Sequence, residues 1–168
     1  MRKRFLFFGI CIIITLMGIL PASAQTVSYS HRILSEEGCI MSYSIAKQEN
    51  DFYIIASSES DNLLFLQKPS FWLKTFDGDV IKLQGEAIGN GSESIGIVSG
   101  NIVIPVTEII SSAQFKISEE EIELLKKGIS KVRLSMSPVD HEREFKKDRI
   151  GKKLYQFYLN KKKQDDEF

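Results

Sequence analysis

The stretch FWLKTFDGDVIKL, residues 71–83, decides the architecture. Phe71 to Phe76 and Val80 to Leu83 are runs of aromatic, β-branched and aliphatic residues, and Asp77-Gly78 stands between them. Asp-Gly tolerates positive φ at both central turn positions, which predicts a hairpin here. A strand pair with a polar turn needs further strands to bury its apolar face, and the rest of the chain supplies them.

Working outward, residues alternate with a period of two. Val27, Tyr29, His31 and Ile33 share one face, against Ser28, Ser30 and Arg32 on the other. Met41, Tyr43 and Ile45 repeat the pattern against Ser42 and Ser44, and Phe52 to Ala56 follows after the turn signal Glu49-Asn50-Asp51. Such alternation is the mark of half-buried strands. Ser57 to Asn62 reads as a polar loop, and Gly85 to Gly96, with Gly89, Asn90, Gly91, Ser92 and Ser94, as a flexible one. Ile102 to Val106 is a strand holding Pro105, which cannot donate to a ladder and so predicts an edge or a bulge. Ala113, Phe115 and Ile117 alternate again, as do Val132, Leu134 and Met136.

Two helices interrupt this pattern. Ser118 with Glu121 three residues on forms a capping box, Glu119 and Glu120 favour the positive end of the helix dipole, and Gly128 suits the far end of a helix near residues 118–127. Ile150, Leu154, Phe157 and Tyr158 have helical spacing, so a C-terminal helix is expected, followed by a charged tail over residues 161–168. The fold expected is mainly β: a single antiparallel β-sandwich or open barrel with these two helices. With no internal repeat and no linker, residues 25–160 read as one domain.

The N-terminus reads as a secretory signal over residues 1–24. Arg2, Lys3 and Arg4 are followed by an apolar run of 16 residues, Phe5 to Leu20, then Pro21 and Ala22-Ser23-Ala24, which places the cut before Gln25. A spanning helix needs about 20 apolar residues, so no transmembrane span is expected after cleavage. The processed chain would carry 22 − 3 = 19 basic against 22 acidic residues, a net charge of −3 that argues against a general polyanion binder, and no nucleic-acid partner is expected. Only Cys39 would remain, which excludes an intramolecular disulfide and favours a buried, inert thiol. A short basic N-terminus without disulfides suits the periplasm or exterior of a Gram-negative bacterium.

No catalytic residue and no cofactor motif stand out. Ser44-Ile45-Ala46-Lys47 matches S-x-x-K, but residues three apart on a strand face opposite ways. Gly89-Asn90-Gly91 lacks the third glycine and the βαβ setting of a dinucleotide site. His141 with Asp140 and Glu142, and Glu144 nearby, is the one group that presents metal-ligand chemistry, but two histidines in the whole chain fall short of the three or four ligands a zinc site needs, so the default is a solvated charged loop after Pro138 and no metal is expected. His31 reads as a core histidine. The C-terminal lysines read as a solvated face. Trp72, Tyr53 and Tyr155 are candidate interaction residues, since an exposed aromatic stacks on a sugar or anchors a partner.

The run Phe115-Lys116-Ile117-Ser118-Glu119-Glu120-Glu121-Ile122, continuing through Gly128-Ile129-Ser130-Lys131-Val132-Arg133-Leu134 after the Asp77-Gly78 hairpin, resembles small exported proteins of unknown function from Gram-negative gut bacteria. The resemblance implies a β-sandwich-like envelope domain and assigns no residue a role. The function expected is a non-enzymatic binding module with an envelope protein or glycan as partner. The alternatives are a small secreted hydrolase whose site forms only in the fold, and an inhibitor or immunity-type protein acting through the strand edge near Pro105.

Overall fold

The computed structural model describes residues 25–31, 39–60, 66, 68–99, 102–137 and 139–166. The side chains described are those of the same residues apart from 30, 31, 93–99, 102–108, 165 and 166. The order is β1 (Thr26–His31), β2 (Cys39–Gln48), β3 (Asp51–Ser60), β4 (Ser70–Thr75), β5 (Val80–Ser99), β6 (Ile102–Ile117), α1 (Glu119–Leu124) continuing into a 3₁₀ turn (Leu125–Lys127), β7 (Ile129–Leu134), β8 (His141–Glu144) and α2 (Gly151–Asp166). The strands form one antiparallel eight-stranded sheet in the order β1-β2-β3-β6-β5-β4-β7-β8.

The sheet curls into a half-barrel because only one of its faces is apolar. Met41 and Tyr43 on β2, Ile54 on β3, Phe71 and Leu73 on β4, Phe115 on β6 and Val132 and Leu134 on β7 are fully buried. On a flat sheet with strands about 4.8 Å apart, β2 and β4 would lie about 19 Å from one another. Instead the rings of Tyr43 and Phe71 stack at 5.3 Å across the interior. The two margins, β1 and β8, meet as well. Tyr29 Oη lies 2.7 Å from His141 Nε2, where a flat sheet would set them about 34 Å apart.

The Asp77-Gly78 hairpin forms as expected, with a longer turn. Lys74 pairs with Val80, so the loop takes in Phe76 to Asp79, and Gly78 alone of its central pair has positive φ, at 98°. The Thr75 hydroxyl accepts from the Asp79 amide at 3.0 Å and closes the loop. Ser57 to Ser60 and Gly85 to Gly96 correct the sequence reading, since both are strand rather than loop. Local punctuation by serine and glycine loses to non-local pairing, because each segment lies against β6 along its length.

Gly85 is where β5 changes partner. Residues 80–84 pair with β4, and from Gly85 onward the ladder is with β6. A Cβ here would stand 2.4 Å from the Gln114 carbonyl oxygen and 2.5 Å from the Phe115 ring, so the crossing admits only glycine. Ile88 is the extra residue of a bulge between Ala87 and Gly89. Pro105 pairs with Gly96, in a stretch where β6 has lost β3, whose ladder ends at Ser60↔Ile109. Among the described residues, the proline therefore sits where one side of its strand is an edge.

Between β3 and β4, Leu66 lies against β6. It is buried there, and its amide donates to Ser111 Oγ at 3.0 Å. The capping box is present: the Glu121 amide donates to Ser118 Oγ, and the Ser118 amide donates to the Glu121 carboxylate at 3.0 Å. Asp148 organises the start of α2, where its carboxylate accepts from the Gly151 and Lys152 amides at 2.9 Å each and from Ile129 at 2.8 Å. The helix then runs on to Asp166, through most of the stretch expected as a frayed tail. Lys162 anchors that extension on Glu119 at 2.9 Å. Tyr158 packs edge-on against Phe52, with centroids 4.9 Å apart. Asn160 Nδ2 donates to the Gln25 side-chain oxygen at 3.1 Å, which brings the middle of α2 beside the start of β1. No helix among the described residues is long and apolar enough to cross a membrane.

Candidate functional site

The outward side of β4 carries Trp72 and Lys74, which alternate with the buried Phe71, Leu73 and Thr75. Register extends them into two rows across four strands. One row is Lys82-Trp72-Arg133-Glu142, and the other is Val80-Lys74-Lys131-Glu144. Together they form an open recess of about 360 Å³ lined by Trp72, Lys74, Val80, Lys82, Lys131 and Arg133, with Leu73 and Glu142 also on its wall. Trp72 is the chain's single tryptophan, and it is 37% exposed although its strand lies inside the sheet.

The cations of this face fall into two kinds. Arg133 donates to Asp140 at 2.9 Å, and Lys131 pairs with Glu142 at 2.5 Å and Glu144 at 3.2 Å. These carboxylates push the Arg133 and Lys131 pKa values above their ordinary ranges. Lys74 and Lys82 have no carboxylate within ion-pair distance among the described residues. Lys82 Nζ rests on the Trp72 ring 4.6 Å from its centroid, and the Arg133 guanidinium stands 5.8 Å from the same ring. An exposed cation–π contact is worth about 0.5–1 kcal/mol, so Lys82 is held on the ring only weakly.

A second polar cluster lies on the opposite, buried side. Tyr29 Oη is 3.0 Å from Tyr43 Oη and 2.7 Å from His141 Nε2, and the Arg143 guanidinium lies over the Tyr29 ring at 5.0 Å. Phe145 meets Tyr29 edge-on at 5.5 Å. Burial pushes the Tyr29 and Tyr43 phenols far above the usual tyrosine range, and it raises the Cys39 thiol too. These groups hold their protons, so they furnish no phenolate or thiolate nucleophile. Their arrangement is a lock that joins the two margins of the sheet.

The structure separates the residues weighed as weak candidates for a metal. His141 and Glu142 are consecutive on β8 and face opposite ways: His141 is fully buried against Tyr29, while Glu142 is outside on Lys131. Asp140 is taken by Arg133. Among the described residues, no cluster of histidine, cysteine, aspartate and glutamate could hold a metal ion. Backbone pairing places His31 opposite Cys39, and its side chain lies outside those described. Cys39 is buried with Sγ 3.7 Å from Met41 Sδ. Of the three aromatic candidates, only Trp72 lines the recess. Tyr53 is half-buried on β3, which β6 and β5 separate from β4. Tyr155 is half-buried on α2, with its hydroxyl donating to Glu123 at 3.2 Å.

Sequence reasoning missed the cations of the recess. Lys74 and Lys82 are visible as outward positions of the 71–83 hairpin, but Lys131 and Arg133 join them only through the β4–β7 pairing. No protein-family model, curated protein or solved structure matches this chain, so its site is read from geometry alone.

Proposed function

We propose that this is an exported, non-enzymatic binding module of a Gram-negative envelope, which engages its partner through the outward Trp72 face. The observation that carries the reading is a lone, part-exposed indole set among amines, two of which have no carboxylate beside them. Exposed aromatics and cations dominate binding energy where they are desolvated together. The groups best suited to proton transfer, His141 and the phenols, are turned into the core away from this recess, which supports binding rather than turnover.

The test uses the chain processed at Gln25, incubated with isolated envelopes. Retention accompanied by a shift in Trp72 emission is expected, and both are expected to be lost in Trp72→Ala. Retention that Trp72→Ala leaves unchanged, or no retention, overturns the reading. Mass spectrometry of the cellular protein tests export: an N-terminus at Gln25 is expected, and an intact Met1 refutes it.

One observation favours a second reading, an inhibitor-type protein that adds a partner strand. Over Ile102–Glu108 β6 pairs, among the described residues, with β5 alone, which leaves an edge open around Pro105. A charge introduced by Val103→Lys would weaken a complex made at that edge and leave one made at Trp72 intact.

A further inference from the structure

We infer that the occupant of the Trp72 recess is an acidic polysaccharide, one whose sugar rings carry carboxylates. This rests on the reading of the Trp72 face as the binding surface. Three features of the recess define the ligand.

The first is charge. Lys74 and Lys82 stand in adjacent rows on neighbouring strands, flank Trp72, and have no carboxylate partner among the described residues. Lys131 and Arg133 are already matched by Glu142, Glu144 and Asp140. Four cations against the three carboxylates Asp140, Glu142 and Glu144 leave one positive charge in surplus, gathered at Lys74 and Lys82, on a chain that would carry −3 once processed, and this local surplus favours an anionic ligand.

The second is stacking. Trp72 is 37% exposed, and the open part of its ring suits a flat, weakly polar surface, which the C–H face of a pyranose provides. The third is the state of the backbone. β4 is hydrogen-bonded on both sides, to β5 and to β7, so a peptide cannot add here as a strand. Recognition falls to side chains on an open sheet face, and a polymer that lies across the strand rows fits that shape better than an enclosed small molecule.

Because Trp72 is the only tryptophan, its emission reports occupancy directly. The probes are polygalacturonate, the same polymer neutralised by methyl esterification, and poly-glutamate. Polygalacturonate is expected to shift Trp72 emission in a saturable, salt-sensitive way. Trp72→Ala, followed by retention on immobilised polymer, is expected to weaken binding about tenfold or more. Lys74→Gln with Lys82→Gln is expected to weaken it about tenfold and to flatten its salt dependence. Trp72→Phe keeps a ring and is expected to retain most of the affinity. Melting curves matching the parent confirm that each variant is folded.

Equal binding of the esterified polymer overturns the requirement for an anion. Equal binding of poly-glutamate overturns the saccharide, since charge alone would then suffice. No response to any polymer, while envelope retention still depends on Trp72, overturns the ligand class and leaves the binding face standing. Loss of both overturns the face as well.

Discussion

The two sides of β4 differ in what they ask of a side chain. Phe71, Leu73 and Thr75 face the interior, where Phe71 stacks on Tyr43 and meets Phe115 at 5.2 Å. Trp72 and Lys74 face outward over charged neighbours. Inside, every atom has a packed neighbour, so volume decides. Outside, the contacts are exchangeable ion pairs and cation–π contacts of at most about 1 kcal/mol each, so a ligand can rearrange them. Core packing and the proposed binding face thus fall to alternate residues of one six-residue strand, and substitutions can separate the two.

The strongest challenge to this division is Phe71→Ala. It empties the centre of the curl and is expected to cost about 3–5 kcal/mol, measured by denaturant unfolding. A loss under about 1 kcal/mol would mean that the interior is not packed as described. Next is Gly85→Ala, where the added methyl meets the Gln114 carbonyl and the Phe115 ring. We expect about 1–3 kcal/mol of destabilisation with Trp72 binding kept in the folded fraction.

Tyr29→Phe then probes the margin lock. It removes the hydroxyl between Tyr43 and His141 and is expected to cost about 1–2 kcal/mol. The same phenols give a pH signature. Their folded pKa values are raised by burial, while an unfolded tyrosine titrates near about 10. Above that pH the unfolded chain releases protons that the fold retains. Stability is therefore whole below about pH 10 and falls as pH rises past it. Tyr29→Phe with Tyr43→Phe is expected to flatten this alkaline decline in a series of unfolding midpoints. The smallest effect on stability is expected from Trp72→Ala, under about 1 kcal/mol by thermal unfolding, although it is the variant expected to weaken binding most.

Much of this architecture is local and so was legible in the sequence. The 71–83 hairpin, the alternation through Tyr43 and Ile54, and the Ser118–Glu121 capping box are each decided by residues a few positions apart. What stayed hidden depends on distant pairing. β8 has the sequence His141-Glu142-Arg143-Glu144, and its charges conceal a strand whose one buried side chain is an imidazole. The glycines and serines of residues 85–96 read as loop because only β6, more than ten residues on, makes them a strand. Trp72 was nameable as a candidate, but apolar residues on both sides of its strand left its direction open. The recess needed β7 beside β4, a neighbour that no local signal provides.

The Asn160–Gln25 hydrogen bond has a practical corollary. The middle of the last helix lies beside Gln25, so a linker long enough to return from Asp166 would close a chain beginning at Gln25 into a ring. New termini opened in the loop between Phe76 and Asp79 would yield a circular permutant of the same sheet. Such a permutant would carry its fusion points beside the recess, which makes it a route to attaching a reporter dye next to the indole.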